Sequence, residues 1–524
     1  MVIAALGSAA LAASPAEEAA FPAYLANRIR HVIILYTENR SFDNVYGRFP
    51  GARGLDQARP AQVIQTDALG RPLAALPQPY LSDTTIADPR FPPAAARDRF
   101  GRPYDDVQAA PPENRALRNG FYDADRFAPL ASVSGDMVHR FYTEQYQINR
   151  VPDPKNSGGA PMSKFSIWSD NPGLVMGTYD AAGLGEARLA REFVLCDNVF
   201  HSAFGGSFLN HFWLVAARTP VWRDFGRRAL DPQDPVTATA FDSNGFPTVA
   251  HGRLLDRQLT SDSRLEPFPR SNAATGLSPG DYWAVNTFQP QNGPASDDAR
   301  ARLPLQDFDT IGDRMTAGGV SWAYFAGGWD RAKAGHADPL FQYHHQPFAY
   351  FRRYALAKAP VEGDAQTGIA GVDSPGSARY LRDERDFVAA LANGNLPDVA
   401  FVKPLGESSG HPGQSSLVSE QEWVEEMIGR IRASPYWKQT VVFVIPDENG
   451  GLWDHVPPPR IDTWGPGTRI PMVIISPLAR HGFVDHSQYE TVSILRFIEL
   501  RWNLRPLNRR DAEARAPLAA FEGG

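Results

Sequence analysis

His31-Val32-Ile33-Ile34-Leu35-Tyr36-Thr37-Glu38-Asn39-Arg40-Ser41-Phe42-Asp43 runs from a near-continuous apolar stretch straight into acids, amides and a hydroxyl. Branched aliphatic residues in succession, without polar alternation, suit a strand covered on both faces, the habit of largely parallel sheets. Similar runs recur at Phe193 to Leu195, Val320 to Phe325, Val399 to Val402, Val441 to Ile445 and Met472 to Ile475. Helical periodicity lies between them, at Ala378 to Ala392, Ser419 to Ala433 and Thr491 to Trp502. Strands alternating with helices give the α/β class. Ligands of open α/β sheets gather where strands end, and here that is Glu38 and Asn39. A plain N-cap and surface loop would account for the same residues.

Working outward, the 524 residues are 43% hydrophobic and 11% aromatic, enough to bury a large core. Two stretches read as long excursions that form a cap or smaller subdomain: near 50–112, dense in Pro, Asp and Arg, and near 220–304, dense in Pro, Asp, Ser and Asn. The rest, 20–524, is expected to be one discontinuous domain. A formal charge of −7 leaves no basic footprint, so nucleic acid is not an expected partner. The single cysteine, Cys196, excludes an internal disulfide and a Cys-based zinc site, and its apolar setting predicts an inert buried thiol. Residues 1–16 begin with a small apolar stretch, Val2 to Ala13, and an Ala10-Leu11-Ala12 cleavage pattern. They read as a signal-peptide remnant or a flexible terminus, and the expected location is the periplasm or the medium. No other stretch approaches the roughly 18 uninterrupted apolar residues of a membrane span.

Three further elements carry chemistry. The run Val441 to Ile445 ends in Pro446-Asp447-Glu448-Asn449-Gly450-Gly451, with Trp453-Asp454-His455 following. Adjacent carboxylates at a strand end suit a hard or borderline cation, while an acidic turn is the plainer account. His201-Ser202-Ala203-Phe204-Gly205-Gly206-Ser207 reads as a strand passing through a Gly-rich turn into a helix. A hydroxyl at a helix start sits beside backbone N–H groups and the positive dipole end, which favour an alkoxide and a bound phosphate. Ser207 fits a metal-activated nucleophile there, and equally the commoner N-cap serine. The segment does not fit G-x-S-x-G. Finally, His139, His344, His345, His411 and His455 lie in Gly, Pro or polar-aromatic surroundings, where imidazoles can bind phosphate oxygens or move protons. Lys403 follows its strand directly, and a lysine's habit there is to face solvent.

Together, Glu38-Asn39-Arg40-Ser41-Phe42-Asp43, His201 to Ser207 and Asp447-Glu448-Asn449-Gly-Gly-Leu-Trp-Asp454-His455-Val-Pro-Pro resemble the bacterial phosphoesterases that include acid phosphatases and phospholipases C, within the alkaline-phosphatase superfamily. Phe341-Gln-Tyr-His-His-Gln-Pro-Phe348 and His411-Pro-Gly-Gln are closest to the acid phosphatase branch. The resemblance implies a three-layer α/β/α sandwich around a mostly parallel sheet. It also implies a divalent metal ion held by Glu38, Asn39, Asp447, Glu448 and Ser207, with Ser207 as nucleophile. His139, His345 and His411 then contact phosphate or donate protons, His344 lies with them, and His455 stands behind the ligands. Pro446 departs from the Tyr common before the acidic pair, and Glu448 from the second Asp of some members.

The expected activity is hydrolysis of small phosphate monoesters through a phosphoserine, as in an acid phosphatase. Protonated histidines would place its optimum below neutral pH. A phospholipase C-type diesterase would instead act on phospholipid, with Trp322, Tyr324 and Trp329 as candidates for a choline pocket. An exported protein that binds metal or phosphate without turnover is the third alternative.

Overall fold

The computed structural model describes residues 21–67, 69–81, 86–92, 116–149, 158–220, 305–355, 377–462 and 464–521. The expected signal remnant 1–16, the excursion from 221 to 304 and the stretch 93–112 lie outside the described residues.

Eleven strands are described: β1 (His31–Thr37), β2 (Tyr122–Asp123), β3 (Gly177–Thr178), β4 (Val194–Phe200), β5 (Trp322–Ala326), β6 (Leu381–Asp383), β7 (Val399–Lys403), β8 (Thr440–Pro446), β9 (Arg469–Ile475), β10 (Phe483–Asp485) and β11 (Tyr489–Glu490). Nine form the main sheet in the order β10-β4-β9-β8-β1-β7-β5-β6, with β11 also on β4, and β2 pairs with β3 apart from it. All the main-sheet pairs are parallel except those of β9, which runs against both β4 and β8.

The quoted apolar stretch explains the layering. Along β1, Val32, Ile34 and Tyr36 enter one buried cluster, and Ile33 and Leu35 enter another. Neighbouring β8 divides likewise, with Val441, Phe443 and Ile445 on one side and Val442 and Val444 on the other. Successive strand side chains point to opposite faces, so two cores mean helices over both faces. Helices Ser207–Ala216 and Val492–Trp502 pack on one side, and Gly185–Glu192, Glu384–Asn393 and Leu417–Ala433 on the other. The architecture is the three-layer α/β/α sandwich.

One predicted helix is interrupted. Within 378–392, Leu381–Asp383 pairs in parallel with Tyr324–Ala326 as the edge strand, and the helix starts only at Glu384. Asp383 ends the strand and caps the helix by accepting from Arg385 N–H. The free edge of β5 outweighs the local helical pattern. Trp322, Tyr324 and Trp329 are core residues and form no exposed choline pocket: Trp322 stacks on Tyr380 at 4.3 Å and Tyr324 on Phe401 at 5.7 Å. Cys196 is buried and its thiol pushed well above the usual range by burial, so it is inert as expected. Among the described residues no helix is long and apolar enough to cross a membrane.

Candidate active site

β1 and β8 lie side by side in register, so Thr37 pairs with Pro446 and the two motifs emerge together. Asn39 takes a left-handed conformation, φ +50°, which Asn tolerates better than most residues. Its N–H points to Asp447 Oδ1 at 3.4 Å, and Glu448 N–H donates to the same oxygen at 2.9 Å. Gly450 packs so tightly on this turn that a Cβ there would lie 2.8 Å from Asn39 Cβ. Backbone closeness here requires glycine.

Ser207 opens the ten-residue helix Ser207–Ala216 at the far side of the turn. Its Oγ lies 3.4 Å from Glu448 Oε1, and His139 Nε2 lies 3.5 Å from that same oxygen. Ser207, Asn39, Asp447 and Glu448, separated by up to 409 positions, thus converge. Burial raises Asp447 to about 6, with Lys403 opposing it, and raises Glu448 well above its usual range, with Asp447 adding repulsion. Asn39 Oδ1 and Asp447 Oδ2 are buried without a hydrogen-bond partner. Orphaned oxygens beside two buried carboxylates are what a hard divalent cation would satisfy, so the donors present fit one.

Glu38 is differently engaged. Its Oε1 is held by Lys403 Nζ at 2.7 Å and His345 Nε2 at 2.5 Å, and its Oε2 lies 4.0 Å from His411 Nε2. Burial would raise Glu38, but His345 and Lys403 hold it well below the usual range. Lys403 is not solvated, as its position suggested, but fully buried, donating also to Thr37 O at 3.2 Å. The ion pairs with Lys403 and His345 thus balance the Glu38 charge within the protein.

The histidines form two groups. His139 and His411 rings are 5.7 Å apart, and His345 stacks on His211 at 5.3 Å. His344 sits behind, its ring 5.3 Å from His211 and 6.4 Å from Phe208. Nδ1 of His139 faces Met137 O at 2.5 Å, and Nδ1 of His411 faces Pro412 O at 2.5 Å. A carbonyl opposite Nδ1 assigns the proton there, leaving the Nε2 lone pair toward the site. Burial lowers His139 to about 3 and lowers His345. Burial thus disfavours the charged form of His139 and of His345 in the protein without substrate.

One residue was not singled out from the sequence, and a second, Lys403, was read as facing solvent. His211 lies one helical turn after Ser207, donates Nδ1–H to Ser207 O at 2.7 Å, and brings Nδ1 within 3.6 Å of Asp447 Oδ2. The i, i+4 spacing from Ser207 was a usable signal. Lys403 carried none beyond its strand end. His455 is bonded through Nδ1 to Asp43 at 2.6 Å. Asp43, Asp454 and His455 bring ligand atoms within 4.8 Å of one another, as do Asp136, His139 and His411. In the first group a cation is already present: Arg469 meets Asp43 and Asp454, each at 3.0 Å.

The model of the Phosphoesterase family matches residues 29–505. The non-hemolytic phospholipase C of Pseudomonas aeruginosa is 26% identical over 231 residues, 38% of this chain and 30% of that protein. The chain thus spans less than a third of that relative's length in the match. Phospholipase C B of Mycobacterium tuberculosis is 23% identical over 509 residues, 91% of this chain and 74% of that protein. A solved structure of a protein in the alkaline phosphatase superfamily from Vibrio parahaemolyticus matches with TM-score 0.23 and 11% identity, over 44% of this chain and 55% of that one. A likeness of that degree carries no argument, and the layered fold rests on the sheet and its two cores.

Proposed function

The chain belongs to the phosphoesterase family, and from that premise we propose that it is a phosphoester hydrolase with Ser207 as nucleophile. The observation that carries the proposal is Ser207 Oγ at a helix start, 3.4 Å from Glu448 Oε1, beside buried oxygens of Asn39 and Asp447 that no protein donor satisfies. A divalent cation bound by Asn39, Asp447, Glu448 and Ser207 would supply the positive charge that acidifies the hydroxyl and polarises a phosphoryl oxygen. Ser207 Oγ passes its proton to Glu448 Oε1 and attacks phosphorus in line, the P–O bond to the leaving group breaks, and the leaving oxygen takes a proton from solvent water. Water then attacks the phosphoserine and restores the hydroxyl. His139 and His411 face that water, and the helix start offsets the phosphate's charge.

Phosphodiesters of the phospholipid type are the substrates we favour, since the long match to a protein named phospholipase C supports them. The monoester reading draws on a different observation: Ser207, His139, His345 and His411 are all buried, a compact setting that suits a small terminal phosphate. Export to the periplasm or medium belongs to the same proposal and is checked by cell fractionation. Hydrolysis of p-nitrophenylphosphorylcholine and p-nitrophenyl phosphate by wild type and Ser207→Ala tests the whole. Diester turnover lost in the variant is the expected result. Preferential monoester turnover moves the substrate to the phosphatase class, and turnover that survives in the variant overturns the nucleophile.

A further inference from the structure

The turn that presents Ser207 is held from two sides. From within its own helix, Asn210 donates its side-chain amide to the carbonyls of Ala203, Gly205 and Gly206 at 3.1, 3.1 and 3.2 Å, and accepts Ala203 N–H at 3.1 Å. From outside comes Glu144, on the helix Phe141–Gln147 that starts two residues after His139. Glu144 Oε2 accepts Gly205 N–H at 2.6 Å. Its Oε1 accepts from Thr468 N–H at 2.6 Å and Thr468 Oγ1 at 2.7 Å, and faces His201 Nε2 at 2.9 Å. His201 Nδ1 in turn faces Ala203 O at 2.7 Å, inside the same turn. Gly205 has φ +85°, and a Cβ there would lie 2.4 Å from Phe141 N, so this helix and the turn are in backbone contact.

We infer that Glu144 is a positioning residue for the nucleophile, its carboxylate fixing the Gly205–Gly206 turn and with it the place of Ser207 Oγ relative to His139. The inference rests on the reading of Ser207 as nucleophile. A carboxylate buried to 1% exposure that accepts from several donors is stable only while all of them stay in place. It therefore converts the fold's rigidity into an Oγ position, and a misplacement of about 1 Å is enough to cost about 100-fold in rate.

The substitution Glu144→Gln separates this role from packing. The side chain keeps its size, but one oxygen becomes an NH2 group. Its remaining carbonyl turns toward the cluster of donors at Thr468 and His201, which leaves the NH2 facing Gly205 N–H. The expected result is a kcat lower by about 100-fold with KM within about twofold, and faster amide exchange in the peptide containing Gly205 but not in that containing Thr468. Thr468→Val removes one hydroxyl from Oε1 and leaves the Gly205 bond, so its kcat should stay within about threefold of wild type. Wild-type kcat in Glu144→Gln, or an equal loss in Thr468→Val, overturns the inference. Should Glu144→Gln not fold, exchange in the wild type decides: a Gly205 amide as fast as an open loop overturns it, and a protected one with active Thr468→Val supports it. Turnover surviving in Ser207→Ala overturns the underlying reading and this inference together, whereas its loss there with intact Glu144→Gln overturns this inference alone.

Discussion

Two buried acidic clusters, built from the same two motifs, differ in how their charge is balanced. Asp43 and Asp454 are held by Arg469 at 3.0 Å each, Asp43 also by His455, and Arg469 Nη1 donates to Arg53 O and Asp197 O. Burial raises Asp454 to about 6, with Arg469 opposing it. Some residues away, Asp447 and Glu448 face each other's charge and two orphaned oxygens, and the nearest lysine is committed to Glu38. A closed network braces the loops, and an open one leaves a place for a cation from outside. Burial alone does not separate the two, but the fate of the counter-charge does.

The contrast is easiest to break through activity. Ser207→Ala should lower turnover on the order of 10⁴-fold or more with the melting temperature little changed, read from kcat/KM and a thermal melt. An equal loss from Asp454→Asn at intact stability would show that the closed network takes part in chemistry. Next in size is Arg469→Met, expected to cost about 3–5 kcal/mol in urea unfolding, because it strands two buried acids. A cost below about 1 kcal/mol would mean that the network is not closed by charge. Asparagine should then act with opposite signs on the two clusters in chelator-treated protein. Asp447→Asn relieves uncompensated charge and raises stability by roughly 1 kcal/mol, while Asp454→Asn lowers it. Chelation itself should abolish turnover, and a divalent cation should restore it together with a higher melting temperature.

The smallest effect concerns an acid that pairs with no cation among the described residues. Glu384 is raised to about 7, chiefly by burial, against the Trp423 Nε1 hydrogen bond at 2.7 Å. Its folded form therefore binds a proton that the unfolded chain, near 4.5, has already released. The stability it contributes is complete below about pH 4.5, falls as pH rises to about 7, and is lost above that. Glu384→Gln should flatten that part of the stability profile and leave kcat unchanged, and an unaltered slope would exclude Glu384 as its source.

The strands at 31–37, 399–403 and 440–446 were legible because apolar β-branched runs report burial on both faces without knowledge of neighbours. The helix 384–393 was blurred because the edge strand Leu381–Asp383 exists only through pairing with β5. Among the site residues, Glu38, Asn39, Ser207, Asp447 and Glu448 stood out as polar interruptions at strand or helix ends. Lys403 was read as facing solvent, because a lysine after a strand carries no sign of a buried acid 365 positions away. Glu144 was equally silent, since its meaning lies in the Gly205 N–H it accepts across the fold.

What the sequence by itself determined is local: which segments are strands, where they end, and which oxygen, nitrogen and hydroxyl groups stand at those ends. Only the tertiary structure decided which acid receives which counter-charge. Periodicity encodes burial one residue at a time, whereas pairing between Glu38 and Lys403, or Asp43 and Arg469, depends on sheet register and on the donors that distant loops bring within about 3 Å.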